Sequence, residues 1–448
     1  MPRTLPPRYG SNVTRLILTL LLLTLSGWSA TAAAQIVPPP LAAPVVALPS
    51  PVSPAAPPLP GAQSDSQALL QDGAEYARQY DVSIEEAIRR LRAQAASVPA
   101  TDALAERFRA RLAGIAIEHR PAYRIVVTLT GAAPVAPEWI DAGGMLVPVV
   151  FRTGARATRE QVVWAMTNHQ AAIRAALPSP PSMGLDPRTG ELVVTIGNAE
   201  PAERAAIRRR IAAIAGVPVR IRLIEQRDAD FAPEGGSRVD GLNPGDTRRY
   251  LCTTGFNVTD GARFGVSTAA HCPDELRYRE PGGAIVPLLF LGQWGWGYQD
   301  VQINLSAAPL SALFFVDAAR TIDRPVTTQV GRGSTRSGDF VCHRGERTGY
   351  SCALVELTDF APAGDLCGGA CLPNWVTVAG PTCMGGDSGA PVFSGTAAFG
   401  ILKGGSYRRD GSCAFYFYMS VDYLPVGWSL VGVASGGGDA GAHPLSER

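Results

Sequence analysis

All eight cysteines of this 448-residue chain lie between Cys252 and Cys413. Near the start, three arginines precede an apolar run at residues 16–25, and small residues follow at 32–34. This order is typical of a secretory signal peptide, which we assign to residues 1–34. Because secreted chains with an even number of cysteines form disulfides, the cysteine-rich half is predicted to be a disulfide-linked domain in an extracellular or periplasmic location. Eight cysteines alone allow 105 pairings.

The composition argues against several classes of partner. The formal net charge of +1 gives no electrostatic reason to bind nucleic acid or an acidic membrane surface. The apolar run ends at Ser26, so we expect cleavage after export and no lasting membrane contact. Cys367 and Cys371 lack a second cysteine pair at zinc-finger spacing, so no metal site is expected, and no organic cofactor is expected either.

Two short motifs contain residues suited to nucleophilic catalysis. Ser388 lies in a glycine-rich turn at 383–389, and His271 follows a strand-like run at 264–268. A serine hydroxyl needs a base within hydrogen-bond reach and donors for the oxyanion that forms after attack. Because glycine permits positive φ, the amides of Gly386 and Ser388 can point into one oxyanion hole.

A third residue completes the pattern. Asp300 stands at the mouth of an alternating, strand-like segment at 298–305, where a carboxylate can fix the tautomer of an imidazole. A lone glycine-rich turn or a lone histidine is common in proteins without catalytic function. The combination of His271, Asp300 and Ser388, in that order, predicts a catalytic triad.

This order and these motifs resemble the chymotrypsin-like serine proteases, in particular the bacterial secreted branch of α-lytic protease and the streptogrisins. The similar segments are residues 251–259, 268–272, 341–352 and 383–389. The resemblance implies an all-β double six-stranded barrel with the triad in the cleft between the barrels. It also implies a secreted serine endopeptidase that acts on proteins or peptides, and we expect a monomer.

The resemblance further implies which cysteines pair. It joins Cys252 with Cys272, Cys342 with Cys352, and Cys383 with Cys413, and it leaves Cys367 with Cys371.

The primary substrate pocket is expected between two segments of the second barrel. By the resemblance, Met384 and Leu402 line this pocket, and no acid is near to bind a basic substrate side chain, which favours cleavage after apolar residues. Gly404 and Gly405 leave the edge backbone open, so an extended peptide can add there as a strand. The alternative is that Met384 and Leu402 are simple core residues.

Three residues near the triad need comment. Lys403 replaces the serine that helps to hold the catalytic aspartate in the family, and it is expected either to pair with Asp300 or to point to solvent. Ala390 replaces a glycine expected after the serine. Asp387 is expected to order the oxyanion turn through a local donor network with an arginine as its partner.

The remaining chain divides by composition. Residues 35–63 are a Pro/Ala-rich linker that cannot form a core. Residues 64–230 are predicted to be an α+β region of two small modules, in which Ser83 and Glu86 form a helix capping box. Residues 231–249 contain turn signals that break regular structure and form a processing hinge. Residues 250–435 form the protease domain, and residues 436–448 form a small polar tail.

The predicted strands of the α+β region are 124–130, 145–151, 191–196 and 219–224, and its predicted helices are 159–177 and 202–215.

The α+β region also resembles the propeptide of the same family, at residues 80–87 and 185–194. The resemblance implies a pro-region that assists folding and then inhibits the enzyme, so that the chain is made as a zymogen. An all-β fold with many non-local contacts folds slowly, and a removable partner can accelerate it. After that partner is lost, slow unfolding protects the mature enzyme.

Two other functions remain open at this level. In one, Lys403 disables the triad, and the chain is a protease-like binding or inhibitory protein. In the other, the N-terminal module of a surface adhesin binds its target while the protease domain stays attached. Labelling by an organophosphonate tests the first, and retention of residues 64–230 in the mature protein would favour the second.

Overall fold

The structure is a computed structural model, and it describes residues 62–197, 199–224, 229–230, 238–242, 249–280, 283–364 and 366–433. The predicted signal peptide, the predicted tail, most of the linker and most of the hinge lie outside these residues. Within these ranges, no helix is both long and apolar enough to cross a bilayer.

The N-terminal region, residues 62–224, is α+β as predicted, with two separate sheets. The first sheet has the strand order β1-β2-β4-β3, and the second contains β5-β6-β7. Its helices are α1 (Asp65–Tyr80), α2 (Ile84–Ala96), α3 (Val98–Arg107), α4 (Arg159–Ala175) and α5 (Pro201–Ala215), and its strands are β1 (Leu112–Glu118), β2 (Arg124–Thr130), β3 (Glu138–Ala142), β4 (Met145–Ala155), β5 (Ser182–Asp186), β6 (Glu191–Ile196) and β7 (Val219–Leu223). The predicted strands and helices of this region are confirmed, with ends shifted by a few residues.

The helix starts follow local capping chemistry. Ser64 caps α1 with a complete capping box, in which Gln67 bonds back to the Ser64 amide. Ser83 caps α2 and accepts a hydrogen bond from the amide of Glu86. The Glu86 carboxylate instead pairs with Arg89 and Arg90, so the predicted box at Ser83 is only half formed.

The C-terminal region, from residue 238 to residue 433, is almost entirely β. Its second half forms a closed barrel of six strands, because the ring β25-β24-β20-β21-β23-β26 returns to β25. The strands that follow the N-terminal region are β8 (Ala229–Asp230), β9 (Arg238–Leu242), β10 (Arg249–Thr253), β11 (Asn257–Thr259), β12 (Phe264–Thr268), β13 (Glu275–Arg279), β14 (Ile285–Pro287), β15 (Leu289–Trp294), β16 (Val301–Ser306), β17 (Leu313–Phe315), β18 (Asp323–Pro325), β19 (Thr328–Gln329), β20 (Phe340–Gly345), β21 (Gly349–Val355), β22 (Asp359–Ala361), β23 (Val376–Ala379), β24 (Pro391–Ser394), β25 (Ala397–Tyr407), β26 (Cys413–Ser420) and β27 (Ser429–Leu430).

The first half of the C-terminal region consists of two sheets with the orders β10-β9-β13-β14 and β15-β16-β12-β11-β27. The chain passes from one to the other beside a 3.0 Å hydrogen bond from the amide of Leu288 to the carbonyl of Leu276. β27 returns from the second half and pairs with β11, which ties the two halves together. The C-terminal region therefore has the double-barrel fold that the sequence predicts.

The hinge prediction needs a correction. Residues 231–249 were predicted to lack regular structure, but Arg238–Leu242 form β9, which pairs with β10 on one side and β13 on the other. Turn signals flank this short strand, and pairing with β10 and with the more distant β13 stabilises it against its local sequence. The C-terminal domain therefore begins before residue 250.

The two regions share a sheet and a core. β5 pairs with β22 of the C-terminal region, which extends the second N-terminal sheet to four strands. One apolar cluster contains Tyr76 and Leu91 from the N-terminal helices together with Phe340 and Phe360 from the C-terminal strands. Burial of these side chains couples the stability of the two regions.

Candidate active site

The three predicted triad residues meet in hydrogen-bonded order. Nε2 of His271 lies 2.8 Å from Oγ of Ser388, and Nδ1 of His271 lies 3.0 Å from Oδ2 of Asp300. His271 follows β12 and Asp300 precedes β16, both in the first half, whereas Ser388 precedes β24 in the second half. The site therefore lies where the two halves meet. An imidazole in this position can take a proton from the hydroxyl while the carboxylate orients it.

Thr253 fastens the serine turn to the histidine segment. Its amide donates a 2.7 Å hydrogen bond to the carbonyl of Ser388, and its hydroxyl donates a 2.9 Å bond to the carbonyl of Gly386. Its own carbonyl accepts a 2.7 Å bond from the hydroxyl of Thr268, three residues before His271. The residue is fully buried, so these bonds are shielded from water and fix the relative position of base and hydroxyl.

The turn that carries Ser388 depends on glycine. Gly386 has φ of +108°, which only glycine adopts readily. A Cβ on Gly389, where φ is +88°, would lie 2.2 Å from the carbonyl oxygen of Thr253. Hydrogen bonds from the Asp387 amide to the Met384 carbonyl and from the Ala390 amide to the Asp387 carbonyl close the turn.

Asp387 is held by a hydroxyl and by main-chain amides. Its carboxylate accepts a 2.7 Å bond from the Thr348 hydroxyl and 3.0 Å bonds from the amides of Met384 and Arg347. The threonine takes the place predicted for a guanidinium, and Arg347 contributes a main-chain amide. Burial raises the pKa of Asp387 to about 6, although all of these donors favour the ionised form.

Asp300 is buried between Lys403 and His271. Nζ of Lys403 lies 3.4 Å from Oδ1 of Asp300. Of the two positions predicted for the Lys403 side chain, paired with Asp300 or pointing to solvent, the structure therefore has the first. Burial by itself raises the pKa of Asp300, but the charges of Lys403 and His271 and their hydrogen bonds outweigh it and hold the pKa below its ordinary value. The carboxylate therefore stays ionised at neutral pH.

The predicted pocket residues differ in their surroundings. Leu402 is fully buried in the apolar core of the second barrel, whereas Met384 is 42% exposed. Gly404 and Gly405 pair in antiparallel register with Asp230 and Ala229 of β8. The short strand that follows the N-terminal region thus covers the edge at which an added peptide strand was predicted.

The four disulfides are those that the resemblance implies. They join Cys252 with Cys272, Cys342 with Cys352, Cys367 with Cys371, and Cys383 with Cys413. Among the described residues no group of three or more acidic, histidine or cysteine side chains could hold a metal ion.

Sequence reasoning missed Thr253 and Thr348. Both lie within the segments that resemble the protease family, directly after Cys252 and just before β21. Their position in those segments was the available signal, but their partners at residues 386–388 are remote in sequence, and only the fold brings them together.

Comparison with known protein sequences supports the serine protease assignment. No protein-family model matches the chain. Streptogrisin-C from Streptomyces griseus is 29% identical over 199 residues, which are 42% of this chain and 39% of that protein. The chain is a relative of the bacterial chymotrypsin-like serine proteases. It spans about two fifths of the length of the curated relative that it matches.

Two solved protease structures align with part of the chain. Protease A of Thermobifida fusca is 22% identical, with 44% of this chain and 97% of that chain covered and a TM-score of 0.35. A chymotrypsin of Cellulomonas bogoriensis is 23% identical, with 42% and 90% covered and a TM-score of 0.32.

Proposed function

We propose that the chain is the precursor of a secreted serine endopeptidase. Ser388 attacks the carbonyl carbon of the peptide bond while His271 takes its proton. His271 then returns the proton to the leaving amine, and water repeats the sequence to release the acyl group. The observation that carries this proposal is the continuous hydrogen-bonded order from Ser388 through His271 to Asp300, at 2.8 and 3.0 Å.

Two groups assist this step. Asp300 fixes the tautomer in which Nε2 of His271 faces the hydroxyl, and its negative charge stabilises the imidazolium. The amides of Gly386 and Ser388 stabilise the oxyanion, and the positive φ of Gly386 and the bonds to Asp387 support that role. Besides the water that releases the acyl group, the proposed steps use groups of the chain itself.

We further propose that residues 64–230 act as a pro-region that inhibits the enzyme until it is removed. The pairing of Ala229 and Asp230 with Gly405 and Gly404 supports this role, because that edge is where a substrate strand would add. The full burial of Ser388 in this form of the chain agrees with an inactive precursor. The shared sheet between β5 and β22 supports a role in folding, since it supplies a partner strand to the slow-folding β region.

The substrates we propose are proteins or peptides with an apolar residue before the cleaved bond. Support comes from Met384, which is partly exposed beside the turn of Ser388. A buried acid would be needed to bind a basic side chain there, since an unpaired charge is costly to bury.

One observation favours a second candidate, a protease-like protein with an impaired triad. The ammonium of Lys403 lies 3.4 Å from Asp300 and competes with His271 for its charge. An organophosphonate distinguishes the two candidates, because only an activated serine reacts with it. We expect the processed protein to gain the mass of one phosphonyl group on the peptide that contains Ser388. An unmodified Ser388 at a reagent excess that inactivates trypsin would favour the impaired candidate.

A further inference from the structure

Lys403 is the only lysine of the chain, and it lies beside the triad. Its side chain is 1% exposed, as is that of Asp300. Its ammonium lies 3.4 Å from Oδ1 of Asp300 and 5.5 Å from the ring centroid of Trp375, which is buried and contributes a cation–π contact. A buried ammonium is costly unless it is paired, so this arrangement fixes both the cation and the carboxylate.

A β-bulge delivers Lys403 to this position. In the pairing of β25 with β26, Leu402 lies opposite Tyr418 and Gly404 lies opposite Phe417, so Lys403 is the extra residue between them. Bulges redirect side chains near active sites. The carbonyl of Lys403 also lies 3.5 Å from Oγ of Ser388, so the same residue contacts two members of the triad.

The charges around His271 determine what this contact does. Asp300 supplies one negative charge, and the ammonium of Lys403 beside that carboxylate supplies one positive charge. Ser388, which contacts His271, and Met419, which contacts the amide of Asp300, are neutral. With Lys403 present, the negative charge of Asp300 interacts with both the ammonium and the imidazole. The positive charge of protonated His271 is therefore stabilised less than it would be by Asp300 alone.

We propose that Lys403 is a positioning residue that orients the Asp300 carboxylate and moves the acidic limb of the pH–activity profile to lower pH. This inference rests on the proposed endopeptidase function. Because the added cation disfavours protonation of His271, the base stays available in more acidic medium, at some loss of the stabilisation that Asp300 gives to the imidazolium.

The first test compares processed enzymes that carry Lys403→Met, Lys403→Ser and Lys403→Arg. For the methionine and serine variants we expect the midpoint of the acidic limb of kcat/KM to rise by roughly one pH unit. The arginine variant keeps the charge and should stay near the unchanged enzyme. Asp387, whose pKa is about 6, titrates in the same range, but it bonds elsewhere and is common to all four enzymes. An unmoved midpoint in both neutral variants, or an arginine variant that moves as far as they do, would overturn the proposal.

The second test does not need activity. In the full chain with Ser388→Ala, labelling with ¹⁵N-lysine gives a single Nζ signal because the chain has one lysine. We expect a slowly exchanging ammonium whose signal moves when Asp300→Asn is added. Exchange as fast as that of free lysine would overturn the ion pair, whether or not the second variant folds. If the unchanged enzyme hydrolyses no peptide, the proposed function fails while this signal still tests the pair. If it does hydrolyse peptides and the midpoint of the acidic limb stays fixed in the neutral variants, only the proposed role of Lys403 fails.

Discussion

Nη1 of Arg324 donates a 2.8 Å hydrogen bond to Oδ1 of Asp72, and neither side chain has exposed surface. Asp72 belongs to α1 of the N-terminal region and Arg324 to β18 of the C-terminal region. The Asp72 carboxylate also accepts 2.6 Å bonds from the Tyr350 hydroxyl and the Gly395 amide. One aspartate thus accepts hydrogen bonds from three donors of the other region.

Replacement of Asp72 by alanine is expected to weaken the contact between the N-terminal and C-terminal regions. The change leaves the Arg324 charge buried without its carboxylate, and we expect the free energy of unfolding to fall by about 3–5 kcal/mol. The measurement is urea unfolding of the full chain with Ser388→Ala, which prevents self-cleavage. The matched control is Glu106→Gln, which removes an exposed ion pair with Arg109 and should change stability by less than about 1 kcal/mol. Equal effects of the two changes would contradict the role of the buried pair.

Replacement of Gly345 by alanine is expected to disturb the serine turn from a distance. An ideal Cβ at Gly345 would lie 2.0 Å from Oδ1 of Asp387, so the carboxylate must leave its bonds with Thr348 and the amides. If the oxyanion amides lose their alignment, kcat should fall by about 10²-fold or more, with a smaller change in KM. Gly333→Ala, where no atom lies within 4 Å of the added carbon, is the control. Unchanged kcat in the Gly345 variant would show that Asp387 does not order the turn.

The contact between the regions should weaken in acid through His119. Its Nδ1 accepts from the Tyr76 hydroxyl at 2.7 Å, and its Nε2 donates to the Gly338 carbonyl at 2.6 Å. Burial lowers the pKa of His119 to about 4, although the bond to Gly338 acts in the opposite direction. The unfolded chain takes up a proton near pH 6.5, and the folded chain does not until about pH 4. The free energy of unfolding should therefore decrease as pH falls through this window, by at most about 3 kcal/mol.

The check is unfolding of the Ser388→Ala chain at several pH values with and without His119→Gln. His343 is also buried, and burial lowers its pKa to about 3, so it contributes a similar slope to both chains. The difference between the chains isolates His119, and His169→Gln serves as the control. A slope that His119→Gln leaves intact would contradict the assignment.

The register of β8 predicts where the precursor is cut. Ala229 lies opposite Gly405 and Asp230 opposite Gly404, so the strand runs toward Lys403, whose carbonyl lies 3.5 Å from the Ser388 hydroxyl. A peptide that kept this register would present its next residue, Phe231, to the serine. We therefore expect cleavage between Phe231 and Ala232, at the start of the hinge 231–249 and after an apolar residue.

Sequencing the new N-terminus of the processed protein tests this bond. Phe231→Asp should slow processing, since the expected pocket is apolar, whereas Glu234→Ala should not. A mature N-terminus upstream of Ala229, or processing at the usual rate in the Phe231 variant, would contradict the register argument.

The sequence pointed to the three residues that the structure brings together more clearly than to the residues around them, for a physical reason. His271 and Ser388 each lie in a motif whose local chemistry is recognisable, and Asp300 precedes an alternating strand. Thr253 and Thr348 act through partners that only folding brings near, so their roles could not be deduced from local patterns.

The secondary structure shows the same difference between segments with recognisable local signals and segments that depend on other parts of the chain. Capping residues and periodic apolar positions located α2, α4 and α5. β9 was not predicted because turn residues flank it. β22 has only three residues, which is too short for a clear local pattern. Both strands are stabilised by pairing with other strands. The shared sheet between β5 and β22 could not be foreseen from either segment alone.

Hydrolysis by the processed enzyme and by its Ser388→Ala variant is the most direct test of the account. The substrate is an extended peptide with phenylalanine before the cleaved bond, and release of the leaving amine is measured under matched conditions. The account predicts turnover by the unchanged enzyme and a loss of about 10⁶-fold in kcat in the variant. Turnover that survives the loss of the Ser388 hydroxyl would contradict it.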